Sequence, residues 1–330
     1  MNLKEEIIKL KEELDVTIVA HFYQKDEVFE MGDIVGDSLE LAKKAMACES
    51  ENIIFCGVGF MGQSVKVLAP QKRVMMPKIA CCAMAKMIDV EYYNMNLKIL
   101  NEAGISNEDI LPITYINSSA EVKAEVGKMG GYVCTSSNAF KIINRGLESG
   151  KKIFFVPDRC LGQNFAKQIG LKSAVVGIDD IEDVKNADII CFNGFCSVHQ
   201  LFTPEDVDFY KEKYPDILVA VHPECDPAVC DKADFVGSTS QLIKYITEDL
   251  DPEQKVVVGT EFNMVNRLRD KNTYVLSSTK PECPTMNETT LEDLYNTLLS
   301  IKNGTYDNEI TISEDVEKYA KIALMRMFEV

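Results

Sequence analysis

The sequence contains no run of 18 apolar residues and so offers no membrane-spanning helix. Its opening, MNLKEEIIKLKEEL, reads as a charged amphipathic helix and lacks the apolar segment of a signal peptide, which points to a cytoplasmic protein. Positive charge is scarce: 35 Lys and Arg against 52 Asp and Glu leave a net charge of −17. That balance argues against broad binding to nucleic acid or to anionic membranes. No C-x-x-C pair occurs, which speaks against an ordinary structural zinc site. Histidine is confined to three positions, His21, His199 and His222.

What is present is 330 residues, 46% of them hydrophobic, enough for a large core divided among roughly two or three domains. Eleven cysteines, an odd number without a secretory signal, do not make a disulfide framework. Most read as buried thiols, with a few left over as metal ligands. Short apolar, β-rich runs lie at 16–20, 52–55, 73–76, 113–116, 152–156, 174–176, 189–191, 217–221, 255–258 and 273–276. Helical patterns such as 39–47, 138–146, 240–247 and 290–302 fall between or after them. Such alternation predicts βαβ units and parallel sheets, which bind ligands at the carboxyl ends of their strands.

The polar residues at those strand ends recur. His21, Ser38, Gly57-Val58 and Cys82 are echoed by His222, Ser238, Gly259-Thr260 and Cys283. Measured from each histidine, the spacings are 17 against 16, 36 against 37, and 61 against 61 residues. A middle unit runs from Tyr115 and Asn117 through Thr135-Ser136 and Pro157-Asp158 to Cys196; its span of 81 residues carries an insertion. A period of about one hundred residues is too long for a solenoid. It predicts three similar α/β units, over 1–88, 89–197 and 198–302, with 303–330 packed back on the first. Strand ends facing one centre would deliver one cysteine each. Three converging thiolates suit a soft metal centre, and a cubane iron–sulfur cluster held by three cysteines keeps one iron open.

Gly57-Val58-Gly59-Phe60-Met61-Gly62 is a literal G-x-G-x-x-G. A dinucleotide fingerprint requires an acid about 20 residues on, and none occurs between Gly62 and Asp89. The glycines read instead as a tight strand-to-helix turn. A nicotinamide-dependent dehydrogenase therefore stands as a weak alternative, beside another cluster-dependent hydro-lyase and a non-catalytic iron–sulfur carrier or sensor.

Taken in order, the motifs HFYQ (21–24), GDSL (36–39), YINSSAEVK (115–123), CTSSNA (134–139), PDRCLG (157–162), CSVH (196–199), HPEC (222–225), GSTS (237–240), GTE (259–261) and CPTM (283–286) form a recognisable set. With Gly57-Val58-x-Phe60-Met61, they resemble the quinolinate synthase family, the A protein of bacterial and archaeal NAD biosynthesis, from about residue 17 to about residue 297. The resemblance implies three pseudo-symmetric, three-layer αβα domains with short parallel sheets around a central [4Fe-4S] cluster. The implied ligands are Cys82, Cys196 and Cys283. The implied reaction condenses iminoaspartate with dihydroxyacetone phosphate, losing phosphate and two waters, to give quinolinate. The implied supplier of the imine is L-aspartate oxidase or an aspartate dehydrogenase. Two positions depart from the family pattern: Cys81 stands where Gly is common, and Gln63 where Glu is common.

Each remaining site expectation has a chemical reason. Glu224, two residues beyond His222, shares its face on an extended segment, and the resemblance implies that it faces the open iron and serves as acid–base group or orients the bound hydroxyl. Tyr23 stands likewise beyond His21 and can donate a proton; Tyr115 and Asn117 can orient a hydroxyl or an imine. His21, His199 and His222 can hold carboxylate or phosphate or move protons. Ser38, Thr135, Ser136, Ser238 and Thr239 lie where strands turn into helices, where hydroxyls and free N–H groups bind anions without Lys or Arg. Cys48, Cys56, Cys134, Cys160, Cys191, Cys225 and Cys230 read as plain buried thiols.

Overall fold

Runs such as Ile53-Ile54-Phe55-Cys56 carry apolar side chains at every position, the pattern of a strand covered on both faces. In a computed structural model, which describes residues 2–269 and 272–329, they build three parallel sheets flanked by helices. The first contains β1 (Val16–His21), β2 (Ile34–Gly36), β3 (Asn52–Cys56) and β4 (Arg73–Met75) in the order β2-β1-β3-β4. The second contains β5 (Ile110–Tyr115), β6 (Tyr132–Cys134), β7 (Lys152–Val156), β8 (Ser173–Val175) and β9 (Ile189–Cys191) in the order β6-β5-β7-β9-β8. The third contains β10 (Leu218–Val221), β11 (Phe235–Val236), β12 (Val256–Gly259) and β13 (Thr273–Val275) in the order β11-β10-β12-β13. Every ladder is parallel. The α/β class and the three-layer arrangement agree with the expectation.

All ten expected strands are present. The edge strands β2, β6 and β11 were not foreseen, because two or three residues are too few to show a period. The middle unit's longer span also has its explanation. Its first four strands repeat the order of the other two sheets, with β9 in fourth place, and β8 with the helix Ile181–Asn186 is the insertion.

Hydrogen bonds fix the register of the repeat. Asp33 Oδ2 accepts from Ile18 N, and Asp234 Oδ2 accepts from Val219 N, each at 2.9 Å. Asp33 and Asp234 stand 201 residues apart, as do His21 and His222, and Cys82 and Cys283. Asp37 caps the helix Ser38–Ala47 and Ser238 caps Thr239–Lys244, so Ser238 matches Asp37. The counterpart of Ser38 is therefore Thr239, where spacing alone had paired it with Ser238.

The chain's last helices tie the units together. The helix Leu291–Asn303 shows Leu294, Leu298 and Ile301 on one face, and these join Ile7 and Leu10 of Leu3–Glu13 in one buried cluster. Residues 291–303 thus pack on the first sheet's outer side. The helix Glu314–Arg326 lies on Ala120–Lys128 beside β6 and also touches Gly59–Leu68, so it bridges the second and first sheets. Gly127 makes that approach possible: a Cβ there would stand 2.0 Å from the Tyr319 carbonyl oxygen. We expect Gly127→Ala to cost on the order of 2 kcal/mol through forced displacement of the last helix, read by urea unfolding. A change below about 0.5 kcal/mol would show that this contact is not tight.

Candidate active site

In each sheet, four side chains occupy matching positions at the carboxyl edge. His21, Tyr115 and His222 close or follow the first strand, and Tyr23, Asn117 and Glu224 come two residues later. Ser38, Ser136 and Thr239 stand near the helix starts after the second strand, and Cys82, Cys196 and Cys283 follow the fourth. All twelve line a single cavity of about 70 Å³. Thr135 and His199 line it as well. Ser238 does not. It exchanges cap bonds with Gln241 and borders a separate surface cleft. The lining also includes Asp37, Glu261 and Thr285, which sequence reasoning did not select, although GDSL, GTE and CPTM carried them.

The two strand-end histidines have defined tautomers. Tyr23 N donates to His21 Nδ1 at 3.1 Å, and Glu224 N donates to His222 Nδ1 at 3.3 Å. With Nδ1 accepting, each neutral ring carries its proton on Nε2. His222 Nε2 lies 3.3 Å from Ser136 Oγ. Burial lowers the His21 pKa to about 4 and that of His222 to about 3. Both imidazoles are thus neutral N–H donors at ordinary pH, and Nε2 is the nitrogen left to donate.

Glu224 is the hub of the polar network. Tyr115 donates its phenol to Oε1 at 2.6 Å, and His199 Nδ1 lies 2.9 Å from Oε2. Burial opposes ionisation, but His199 and His222 and the bonds from His199 and Tyr115 outweigh it and hold the carboxyl below its usual range. The other ring nitrogen of His199 meets Thr260 Oγ1 at 3.0 Å. Tyr23 OH lies 2.9 Å from Thr239 Oγ1 and 3.0 Å from Thr260 Oγ1. Burial, reinforced by the Glu224 charge, keeps Tyr23 and Tyr115 as phenols.

Cys82, Cys196 and Cys283 meet in this cavity, whereas Cys81 is exposed. Burial pushes the Cys82 thiol up to about 12 and raises Cys196 and Cys283, and each would feel the negative charge of a neighbouring thiolate or carboxylate. A positive metal centre removes that conflict by displacing the protons. Three sulfurs in a buried pocket make a soft donor set. Cys196, His199 and Glu224 also offer ligand atoms within 4.8 Å of one another, but both His199 nitrogens already have partners. The thiol trio is the better fit for a metal cofactor. Cys56, Cys134, Cys160, Cys191 and Cys225 are buried, and Cys48 and Cys230 are half-buried.

The G-x-G-x-x-G stretch forms the wall of the cavity, not a nucleotide site. It turns from β3 into the helix Gly59–Leu68, placing Val58, Phe60 and Met61 on the lining. A Cβ on Gly57 would meet the Phe55 ring at 2.7 Å. The departure at Gln63 also has a place: its Oε1 accepts from Ala120 N at 3.1 Å, across to the second unit. Asn164 of the second unit donates to Pro223 O (2.8 Å) and Cys225 O (2.9 Å) of the third. Asn263 and Arg267 of the third hold Tyr23 O (3.1 Å) and Gln24 O (3.0 Å) of the first, and Arg267 also holds Phe22 O. The helix after the third strand of each sheet thus reaches across to the next unit.

A family model described as "Quinolinate synthetase A protein" matches residues 5–329. The chain belongs to this family. A quinolinate synthase of Helicobacter pylori (strain HPAG1) is 55% identical over 332 residues, covering 99% of this chain and 98% of that protein. Quinolinate synthases of Streptomyces coelicolor and of a Geobacillus strain are 40% and 38% identical, covering 94% of this chain and 84% and 88% of their own lengths. With the quinolinate synthetase A family, the residue set that sequence motifs singled out meets in one place, apart from Ser238.

Two outcomes follow from the geometry. Cys82→Ser is expected to lose most of the bound metal per chain by elemental analysis, while Cys81→Ser retains it; equal loss in both would contradict the assignment. Because the titrations of His21 and His222 lie well below neutrality, neither should give kcat/KM a step between about pH 6 and 8. A step near pH 6.5 that vanishes in His21→Asn would contradict the neutral-donor assignment.

Proposed function

We propose that this protein is a quinolinate synthase that condenses iminoaspartate with dihydroxyacetone phosphate, releasing phosphate and two waters. The observation that carries the reading is the meeting of three thiols, Glu224, two neutral histidines and three hydroxyls in one enclosed cavity, in a chain of this family. When bound, a [4Fe-4S] cluster held by Cys82, Cys196 and Cys283 supplies one iron without a protein ligand, a Lewis acid for a substrate oxygen. His21 and His222 offer Nε2–H to carboxylate or carbonyl oxygens. Ser38, Ser136 and Thr239 add hydroxyls near helix starts, where anions are favoured. Glu224, held ionised, is placed to accept a proton, and Tyr23, held as a phenol, to give one.

Enclosure between three units keeps a hydrolysable imine away from bulk water. An L-aspartate oxidase or aspartate dehydrogenase supplies that imine in this reading, and the reaction is cytoplasmic. No helix among the described residues is long and apolar enough to cross a membrane.

The test is anaerobic assay of metal-loaded protein with both substrates. Quinolinate should form, and Glu224→Gln should lower kcat about 100-fold or more while retaining the metal. Loaded wild-type protein that forms no quinolinate would sink the reading. Full activity in both Glu224→Gln and Tyr23→Phe would remove their catalytic roles.

A further inference from the structure

Asp37 is buried, lines the cavity and is bonded to all three units. Its Oδ1 accepts from Leu39 N and Glu40 N, each at 3.0 Å, which caps its own helix. Its Oδ2 accepts from Ser137 Oγ of the second unit at 2.9 Å and from Ser240 Oγ of the third at 2.7 Å. Glu40 Oε2 stands 3.4 Å from the same Ser240 hydroxyl. One carboxylate therefore takes four donors, and its second oxygen joins three chain segments far apart in sequence.

The neighbours of these residues give the arrangement its meaning. Ser38 follows Asp37, Ser136 precedes Ser137, and Thr239 precedes Ser240. These are the three equivalent hydroxyl residues of the cavity. Pinning Ser137 and Ser240 to Asp37 fixes the spacing of Ser38, Ser136 and Thr239 with only one residue of slack on each side.

The latch also lies at a boundary. A surface cleft between the second and third units shares Ser136 and Ser137 with the central cavity, and continues along Gly237 and Ser238. Lys141 borders it, and Lys167 there is paired with Asp231.

We infer that Asp37 is the latch of the active site. Its two hydroxyl bonds hold the three hydroxyl residues in register and close the wall between the surface cleft and the cavity. Anionic substrate and product pass when those bonds part. Asp37 is a positioning residue here, acting through Ser137 and Ser240. The inference rests on the quinolinate-forming reading for the identity of the ligands, not for the existence of the latch.

The test is the double variant Ser137→Ala/Ser240→Ala in metal-loaded protein, which leaves the cap of Asp37 on its own helix intact. Hydrogen bonds to a charged group are strong enough that their loss should speed opening by about tenfold. The rate at which EDTA strips the metal is expected to rise by about that factor, as is the rate of quinolinate release in stopped flow. KM for dihydroxyacetone phosphate should rise with them, and Ser137→Thr, which keeps the hydroxyl, should stay near wild type. A lowered melting temperature and metal content with unchanged stripping and release rates would assign the bonds to stability alone and overturn the latch. Rates and KM within about twofold of wild type would overturn it as well, since lost charge-assisted bonds must be felt. Wild-type protein that makes no quinolinate would refute the functional reading, while the stripping rates would still decide the latch.

Discussion

The side chains at the cavity depend on polar bonds that reach from one unit to the backbone of the next. Parallel strands end at the cavity, and beyond their ends the chain has no ladder to satisfy its carbonyls. Buried carbonyls need partners. Phe22 O, Pro223 O and Cys225 O find them in Arg267 and Asn164 of a neighbouring unit. On the first-to-second side the bond runs the other way, from Ala120 N to Gln63. The ring closes on itself, so no unit presents its segment without the next one in place.

In a chain carrying −17 net charge, no Lys or Arg is among the described residues lining the cavity. Neutral imidazoles, hydroxyls and helix starts line it instead, which avoids desolvating a flexible cation. Lys123 is fully buried and donates to Ile116 O and Ser118 O, on either side of Asn117. It shapes the segment that carries Asn117. The acidic groups of the lining, Glu224, Asp37 and Glu261, are each surrounded by donors, and burial raises the Glu261 pKa to about 8.

The backbone repeats threefold, but the chemistry does not. Equivalent positions hold Tyr23, Asn117 and Glu224, a proton donor, an amide and a carboxylate. His21 and His222 are matched in the middle by Tyr115, whose phenol goes to Glu224 rather than to its own backbone. Only the cysteine position is the same in all three units. A metal centre asks for three like ligands, while substrates without symmetry need unlike groups around them.

Much of this was legible in the linear chain. Strands covered on both faces show as unbroken apolar runs, and alternation with helical periods gives parallel sheets, so ten strands and the α/β class could be read locally. The motifs likewise marked Cys82, Cys196, Cys283, Glu224 and the histidines, because chemistry at strand ends leaves polar residues against an apolar background. The rest depended on contacts between distant residues. The edge strands β2, β6 and β11 exist because a longer neighbour pairs with them. Thr239 rather than Ser238 enters the cavity because helix capping uses up the Ser238 hydroxyl. Cys82 faces the centre and Cys81 the solvent because the chain turns between them, at a point where no local pattern distinguishes two adjacent thiols. Asp37, a cap by its position in GDSL, became the meeting point of three units only when residues 100 and 203 positions away came within hydrogen-bonding distance.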